Sequence, residues 1–281
     1  MDKMNQTVGD CYFTMAEKEA KVIYNDIAEK YITAAEFYFK DQDYEKSGLS
    51  YEKAHDIYSN HDCQERAACT AIKAANAYKE LKNMKKCDKL EKCEKLLQKA
   101  FIYYMDKDKC KAADQSALLA SIYIESIDEN NNYIIMEEKN TKAIKLYEQA
   151  WTYYKDSSLL GVAKGFNCLK TAAYIAINNY QYTKALELLN ILDTDKRYIF
   201  INELIIDTAI VKLYVSGISE CREWFFIKHD TRSFYYVTFS KLIVSFNTCN
   251  LDLFSKIVNN NYNGWQKKLL LKVLDQYTID K

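Results

Sequence analysis

Ala-x-x-Tyr returns at Ala35–Tyr38, Ala75–Tyr78, Ala120–Tyr123 and Ala150–Tyr153, in a chain of 281 residues that contains no proline. A small residue one helical turn before a large ring lets two helices approach closely while the ring fills the neighbouring groove. Repeating that device along a chain stacks helical hairpins into a solenoid. Solenoids mostly present surfaces to other proteins, so the rhythm favours a scaffold over an enzyme.

The six glycines leave the usual punctuation of strands and hairpins nearly absent, and an all-α fold follows. Lysine plus arginine balance aspartate plus glutamate at 39 each, which gives no overall bias toward nucleic acid or a membrane surface. The longest apolar stretch, residues 198–210, is interrupted by Asn202, Glu203 and Asp207 and is not expected to span a bilayer. The nine cysteines fall about one per helical segment, with no C-x-x-C and no secretory leader read before them. Cys63/Cys69 and Cys87/Cys93 are six apart, about 240° around a helix, so neither pair shares a face. They are expected to be reduced, mostly core-lining thiols of a cytosolic protein.

Apolar residues recur at helical spacing over residues 11–40 and again, with Tyr51, Ala54 and Tyr58 on one face, over 44–58. Further pairs are expected at 64–81 with 87–104, 110–125 with 141–154, and 160–177 with 182–192. Residues 126–140, with an Asp-Glu-Asn-Asn-Asn core, read as a longer loop. The marker alanines Ala35, Ala75, Ala120 and Ala173 stand 40, 45 and 53 apart, longer and less regular than a 34-residue tetratricopeptide repeat. Beyond residue 195 the segments 198–214, 221–227, 233–246, 251–258 and 265–276 are more apolar and lack the mark. The expected architecture is a tetratricopeptide-like twisted sheet of antiparallel helical hairpins over residues 1–195, followed by a helical bundle over 196–281.

The residues offer no chemistry. His55, His61 and His229 have no partners at metal-ligand spacing, and His55 reads as a partly exposed surface residue. Phosphate-loop, nucleophile-elbow and zinc-protease motifs are absent, so no catalytic residue, metal or cofactor is expected. Gly161 and Gly165 read as a close-packing pair. Residues 82–111 carry ten lysines against five carboxylates, either a solvated face or a patch that steers an acidic partner. Most of the 24 tyrosines sit at periodic positions, where they fill helix–helix grooves with their hydroxyls reaching water.

Residues 141–189 read TKAIKLYEQAWTYYKDSSLLGVAKGFNCLKTAAYIAINNYQYTKALELL. This resembles the soluble NSF attachment proteins, most closely the alpha/beta type, with K-A-I-x-x-Y-E-Q-x-x-x-Y-Y-K, then C-L-x-K-x-A-x-Y-A, then Y-x-K-A-I. Asp230-Thr231-Arg232 resembles the family's D-S-R, and the run from Trp265 to Val273 resembles its final helix. Residues 34–58 and 74–125 align more loosely, so the likeness runs in order over most of the chain. It implies a non-enzymatic adaptor in vesicle traffic that wraps SNARE bundles with a concave face. It also implies recruitment of the AAA ATPase NSF through the C-terminal end, for disassembly of the bundle, and a cytoplasmic protein held weakly and peripherally at membranes.

Carried onto this sequence, the family's basic SNARE-binding positions fall at Lys79 and Lys170, with a third at Phe166 and Lys164 half a turn away. Three others land near Asp43, Asp108 and Asp114, with Lys107, Lys109 and Lys111 adjacent. The resemblance thus implies Lys79, Lys111, Lys164 and Lys170 as SNARE contacts, on a bundle charged differently from the family's usual one. The family's membrane-touching loop corresponds to residues 9–15, where Tyr12, Phe13 and Met15 form either a reduced membrane wedge or an apolar cap on the first helix. The ATPase-facing end corresponds to Leu270, Leu271, Asp275, Ile279 and Asp280, with Ile279 in place of a penultimate leucine and fewer acids than the family carries. A tetratricopeptide-like peptide adaptor unrelated to membrane fusion is the alternative.

Overall fold

A computed structural model describes residues 2–18, 24–81, 86–127, 133–195, 197, 202–228 and 234–279. These residues form helices and turns, with no strand among them. In chain order the helices are α1 (Asp2–Lys18), α2 (Tyr24–Lys40), α3 (Tyr44–Asn60), α4 (Gln64–Glu80), α5 (Lys86–Tyr104), α6 (Lys109–Glu125) and α7 (Tyr133–Tyr154). They continue with α8 (Leu159–Asn178), α9 (Tyr182–Thr194), α10 (Asn202–Lys228), α11 (Phe234–Asn247), α12 (Leu251–Asn261) and α13 (Gly264–Ile279). Contacts divide the chain into two compact units, Met1–Cys168 and Leu169–Lys281.

Proline-free, glycine-poor sequence still turns tightly because other residues take the left-handed conformation. Gln42, Asp62, Tyr180 and Cys249 have φ of 62°, 56°, 60° and 55°, each just past a helix end. After α2, the Asp43 amide donates to the Tyr38 carbonyl at 2.9 Å and the Gln42 amide to the Phe39 carbonyl at 3.0 Å. That pair of reversed bonds satisfies carbonyls left open at a helix end. The same pairing recurs at Gln181 and Tyr180 and at Asn250 and Cys249. Asp43, Asp108 and Asn250 then cap the following helices, accepting from the amides of Lys46, Lys111 and Leu253 at 3.2, 3.1 and 3.0 Å.

In the first unit consecutive helices pack as antiparallel neighbours, and their side chains sort them into two layers. Ion pairs link α2 to α4, α4 to α6 and α6 to α8 on one side. On the other, Asp10 of α1 meets Lys46 of α3, Lys99 of α5 reaches His55 of α3, and Phe101 of α5 stacks edge-on against Tyr153 of α7. Alanines line the seam: Ala28, Ala34, Ala35, Ala54, Ala74 and Ala75 are fully buried. The second unit is built from larger side chains, with Phe225, Phe239, Leu242, Phe254, Leu269 and Leu270 fully buried. Within it Gly217 breaks α10 with φ 83° and ψ 178°, a backbone only glycine adopts without strain.

The tyrosines follow a rule the Ala-x-x-Tyr pattern only grazed. Tyr38, Tyr58, Tyr123 and Tyr78 each donate a hydroxyl hydrogen to a carboxylate of the preceding helix. The acceptors are Asp10, Glu29, Glu94 and Glu52, at 2.7, 2.9, 2.8 and 2.9 Å. Tyr154 does the same to Asp114, and Tyr104 meets the Cys69 thiol at 3.2 Å. A cation from the following helix then lies over each ring: Lys46, Arg66, Lys92, Lys111, Lys142 and Lys164 over Tyr38, Tyr58, Tyr78, Tyr104, Tyr123 and Tyr154. Each ring thus ties three successive helices together. Burial, aided by these carboxylates, pushes the phenols of Tyr38, Tyr78, Tyr123 and Tyr154 upward.

Four expectations are corrected. Residues 11–40 divide into α1 and α2. The loop expected over 126–140 ends at Tyr133, because Tyr-Ile-Ile-Met continues helical sequence beyond the polar run. His55 is 4 % exposed, with Nδ1 2.8 Å from the Ala67 carbonyl and Nε2 3.2 Å from the Lys99 ammonium, so it is a core residue bridging three helices. Of the eight described thiols, all free, only Cys93, Cys168 and Cys221 are buried. Burial pushes those three up to about 11, 11 and 12.

Candidate functional site

The exposed side of the α2–α4–α6–α8 layer carries two of the lysines singled out by sequence, Lys79 and Lys164, among four cations that each reach to the next helix of the layer. Arg66 lies 3.7 Å from Glu29, Lys73 3.1 Å from Glu36, Lys79 3.1 Å from Glu125, and Lys164 2.8 Å from Asp114. Helical spacing explains the division: 66 and 73 on α4 are seven apart and share the side toward α2, whereas 79, about 240° on from 73, turns toward α6. The face thus carries a row of cross-helix ion pairs in which four cations are matched by four carboxylates. Lys79 is the most enclosed of these cations, with a side chain 26 % exposed and a second contact to Ser121 Oγ at 3.5 Å. Exposed pairs of this kind contribute at most about 1 kcal/mol each, so every lysine can exchange its own carboxylate for one on a partner.

The remaining expected contacts fall in different settings. Lys111 lies at the N-terminus of α6, 3.8 Å from Asp108 and over the Tyr104 ring. Lys170, half-buried on α8, belongs to the second unit, and no ion pair holds it among the described residues. Phe166, which takes a basic position of the resembling family, is buried and stacks on Trp151 at 5.1 Å. Asp43 and Asp108 are helix caps, and Asp114 accepts from both Tyr154 and Lys164. The three acidic departures thus have structural duties of their own.

At the N-terminus, Tyr12 stacks on Phe37 at 6.0 Å and Phe13 meets Tyr31 edge-on at 5.4 Å, both on α2, with Lys53 4.3 Å over Phe13. Met15 is 42 % exposed. On α13, Leu270 is fully buried and packs the bundle, Leu271 is half-buried and Asp275 is exposed. Ile279 ends the helix, while Asp280 and the 230–232 stretch lie outside the described residues.

Sequence reasoning named Asp114 only as an acid at a basic position of the resembling family, and it missed Glu29, Glu36 and Glu125, which pair with Arg66, Lys73 and Lys79 across helices. It also missed a groove of about 400 Å³ on the other layer, between α5, α6 and α7, floored by Leu97, Phe101, Leu119 and Leu146. Nothing in the local pattern marks either feature, because both depend on which helices become neighbours. Among the described residues no cluster of histidine, cysteine or carboxylates is arranged to hold a metal ion. Nor is any described helix long and apolar enough to cross a membrane.

Comparison with known proteins adds three findings. Among solved structures, BtubC (BKLC) from P. vanneervenii aligns at 14% identity over 71% of this chain and 78% of its own, with a TM-score of 0.46. A circular tandem repeat protein with novel repeat topology aligns at 12% identity over 99% of this chain and 66% of its own, with a TM-score of 0.34. No curated protein matches the sequence. The family described as soluble NSF attachment protein, SNAP, matches residues 1–195, more than half of the chain. The chain belongs to the soluble NSF attachment protein family.

Proposed function

We propose that this chain is a non-enzymatic adaptor that binds SNARE bundles and delivers them to the AAA ATPase NSF for disassembly in vesicle traffic. The observation that carries the reading is the family match over residues 1–195, joined to a row of lysines on one side of a helical layer in that same segment. In this reading Lys79, Lys111, Lys164 and Lys170 are the contacts to SNARE helices. Because the face is charge-paired, it fits a bundle whose surface carries both signs better than a uniformly acidic one.

Tyr12 and Phe13 organise the first helix, and Met15 supplies a weak, peripheral membrane contact. Leu271, Asp275, Ile279 and Asp280 form the ATPase-facing end, with Leu270 fixing the helix from within. The alpha/beta type, a cytoplasmic location and a separate role for residues 196–281 belong to the same reading; the family match ends at 195.

Sedimentation with a preformed SNARE bundle tests the face. Lys79→Glu with Lys170→Glu is expected to weaken binding about tenfold or more at low salt, with the difference shrinking as salt is added. Unchanged low-salt binding removes these lysines from the interface. The groove between α5, α6 and α7 favours a second reading, an adaptor for one short peptide outside membrane fusion. That reading predicts no binding to the bundle by either protein.

A further inference from the structure

Away from the SNAP-matching segment, α11 turns one face inward and leaves another unpartnered. Phe239, Leu242, Ile243 and Phe246 are buried, whereas Val237 and Val244 are 42 % and 54 % exposed. Positions 237, 241 and 244 recur at helical spacing, so Val237, Lys241 and Val244 share one stripe. Beside it on α12, Leu253 is 42 % exposed, and beside it on α10, Phe226 is 40 % exposed.

These side chains line two grooves that meet at Val244. One, of about 640 Å³, runs between α11 and α12 over Val237, Leu253 and Ile257. The other, of about 790 Å³, runs between α10 and α11 past Phe226 and Ile243. The rims carry Lys241, Lys256 and Arg222, all exposed, and no ion pair engages any of them among the described residues. Among the described residues, Glu223 is the one carboxylate lining either groove. The contrast with the first unit is direct, since there the facing cations have carboxylates across the neighbouring helix. In the wall, Ser240 Oγ is buried without a hydrogen-bond partner.

We propose that the outer face of α11, with the flanking surfaces of α10 and α12, is a docking groove for an acidic amphipathic helix of a partner protein. Free cations on an apolar channel call for a partner with an apolar stripe flanked by carboxylates. A helix fits because the channel lies between parallel rows of helical side chains, with anchors repeating over two turns of α11. The 14 residues of α11 span about 21 Å, which sets the length of the docked segment at about four turns. A concave channel also suits a helix better than a flat lipid surface. Ser240 Oγ, unpaired in the wall, is placed to bond a polar group of the incoming segment.

The test uses the full chain and a fluorescein-labelled 18-residue helical peptide with leucines along one stripe and glutamates on both flanks. A lysine-for-glutamate copy and a scrambled copy serve as controls. Fluorescence anisotropy is expected to show the acidic helix binding at least tenfold more tightly than either control. Lys241→Glu with Lys256→Glu should weaken it at least tenfold, and Val244→Asp should do likewise. All three positions are exposed, so circular dichroism and melting should stay as in the parent. Equal binding of the three peptides, or full affinity in both variants, overturns the proposal. So does binding of the chain to 3:1 phosphatidylcholine–phosphatidylserine vesicles that Lys241→Glu with Lys256→Glu abolishes, if no peptide is bound.

Discussion

Tyr78→Ala is expected to destabilise the chain by about 3–5 kcal/mol in urea unfolding. The ring is fully buried, its hydroxyl holds Glu52 of α3, and Lys92 of α5 lies 4.5 Å from its centre. Truncation therefore opens a large cavity and cuts a tie among three helices at once. Helices of a stacked array are stabilised mainly by their neighbours, so the loss should also broaden the transition. Gly48→Ala approaches the same ring from the other side: an added Cβ would lie 2.5 Å from Tyr78 Cε1. A ring with no room to retreat makes this an overpacking change, and about 1–3 kcal/mol is expected. Tyr78→Phe keeps the ring and loses only the hydroxyl bond, which should cost about 0.5–1.5 kcal/mol. If Tyr78→Ala costs no more than Tyr78→Phe, the tyrosine seam is not what holds these helices together.

The second large effect is a gain. Glu36→Gln with Glu125→Gln should tighten binding to an acidic SNARE bundle about tenfold and steepen its salt dependence. Lys73 and Lys79 now spend their charge on these two carboxylates, at 3.1 Å each. Releasing two exposed pairs, at up to about 1 kcal/mol apiece, makes both cations available to a partner. Glu36 and Glu125 are half exposed, and neither accepts a tyrosine hydroxyl in the seam, so stability should change little. Equal affinity in parent and variant, measured at low salt by titration calorimetry, would place the bundle on some other surface.

How far the sequence reveals this molecule depends on whether a feature is local. The helices and their turns follow from spacing and breakers, so residues 44–58 and 64–81 were expected within a few positions of α3 and α4. The seam was only half legible. Ala-x-x-Tyr caught Tyr38, Tyr78 and Tyr123 but paired Ala150 with Tyr153, which is half-buried, when the buried ring is Tyr154. The pattern that fits is Ala-x-x-x-Tyr, at Ala34–Tyr38, Ala54–Tyr58, Ala74–Tyr78, Ala100–Tyr104 and Ala150–Tyr154, on α2, α3, α4, α5 and α7, with Leu119 standing in for the alanine before Tyr123 on α6. Counting in single helices instead of hairpins would have shown it.

His55 shows the opposite case. Its flanking residues Ala54 and Asp56 suggest a boundary position, but burial comes from α4 and α5 closing over α3. The charge pairs were not legible for the same reason. Glu36 and Lys73 are 37 positions apart, and Asp114 and Lys164 are 50 apart, so only the stacking of alternate helices brings them together.

The central claim is that the chain couples SNARE bundles to an ATPase, and reconstituted disassembly tests it most directly. Purified chain, preformed SNARE bundle and NSF are mixed with ATP, and separation of fluorescently paired SNARE helices is followed over time. The account predicts disassembly that needs all three components and ATP, and that slows with Lys79→Glu and Lys170→Glu together. A bundle that stays intact in the complete mixture, or that comes apart equally well without this chain, contradicts it.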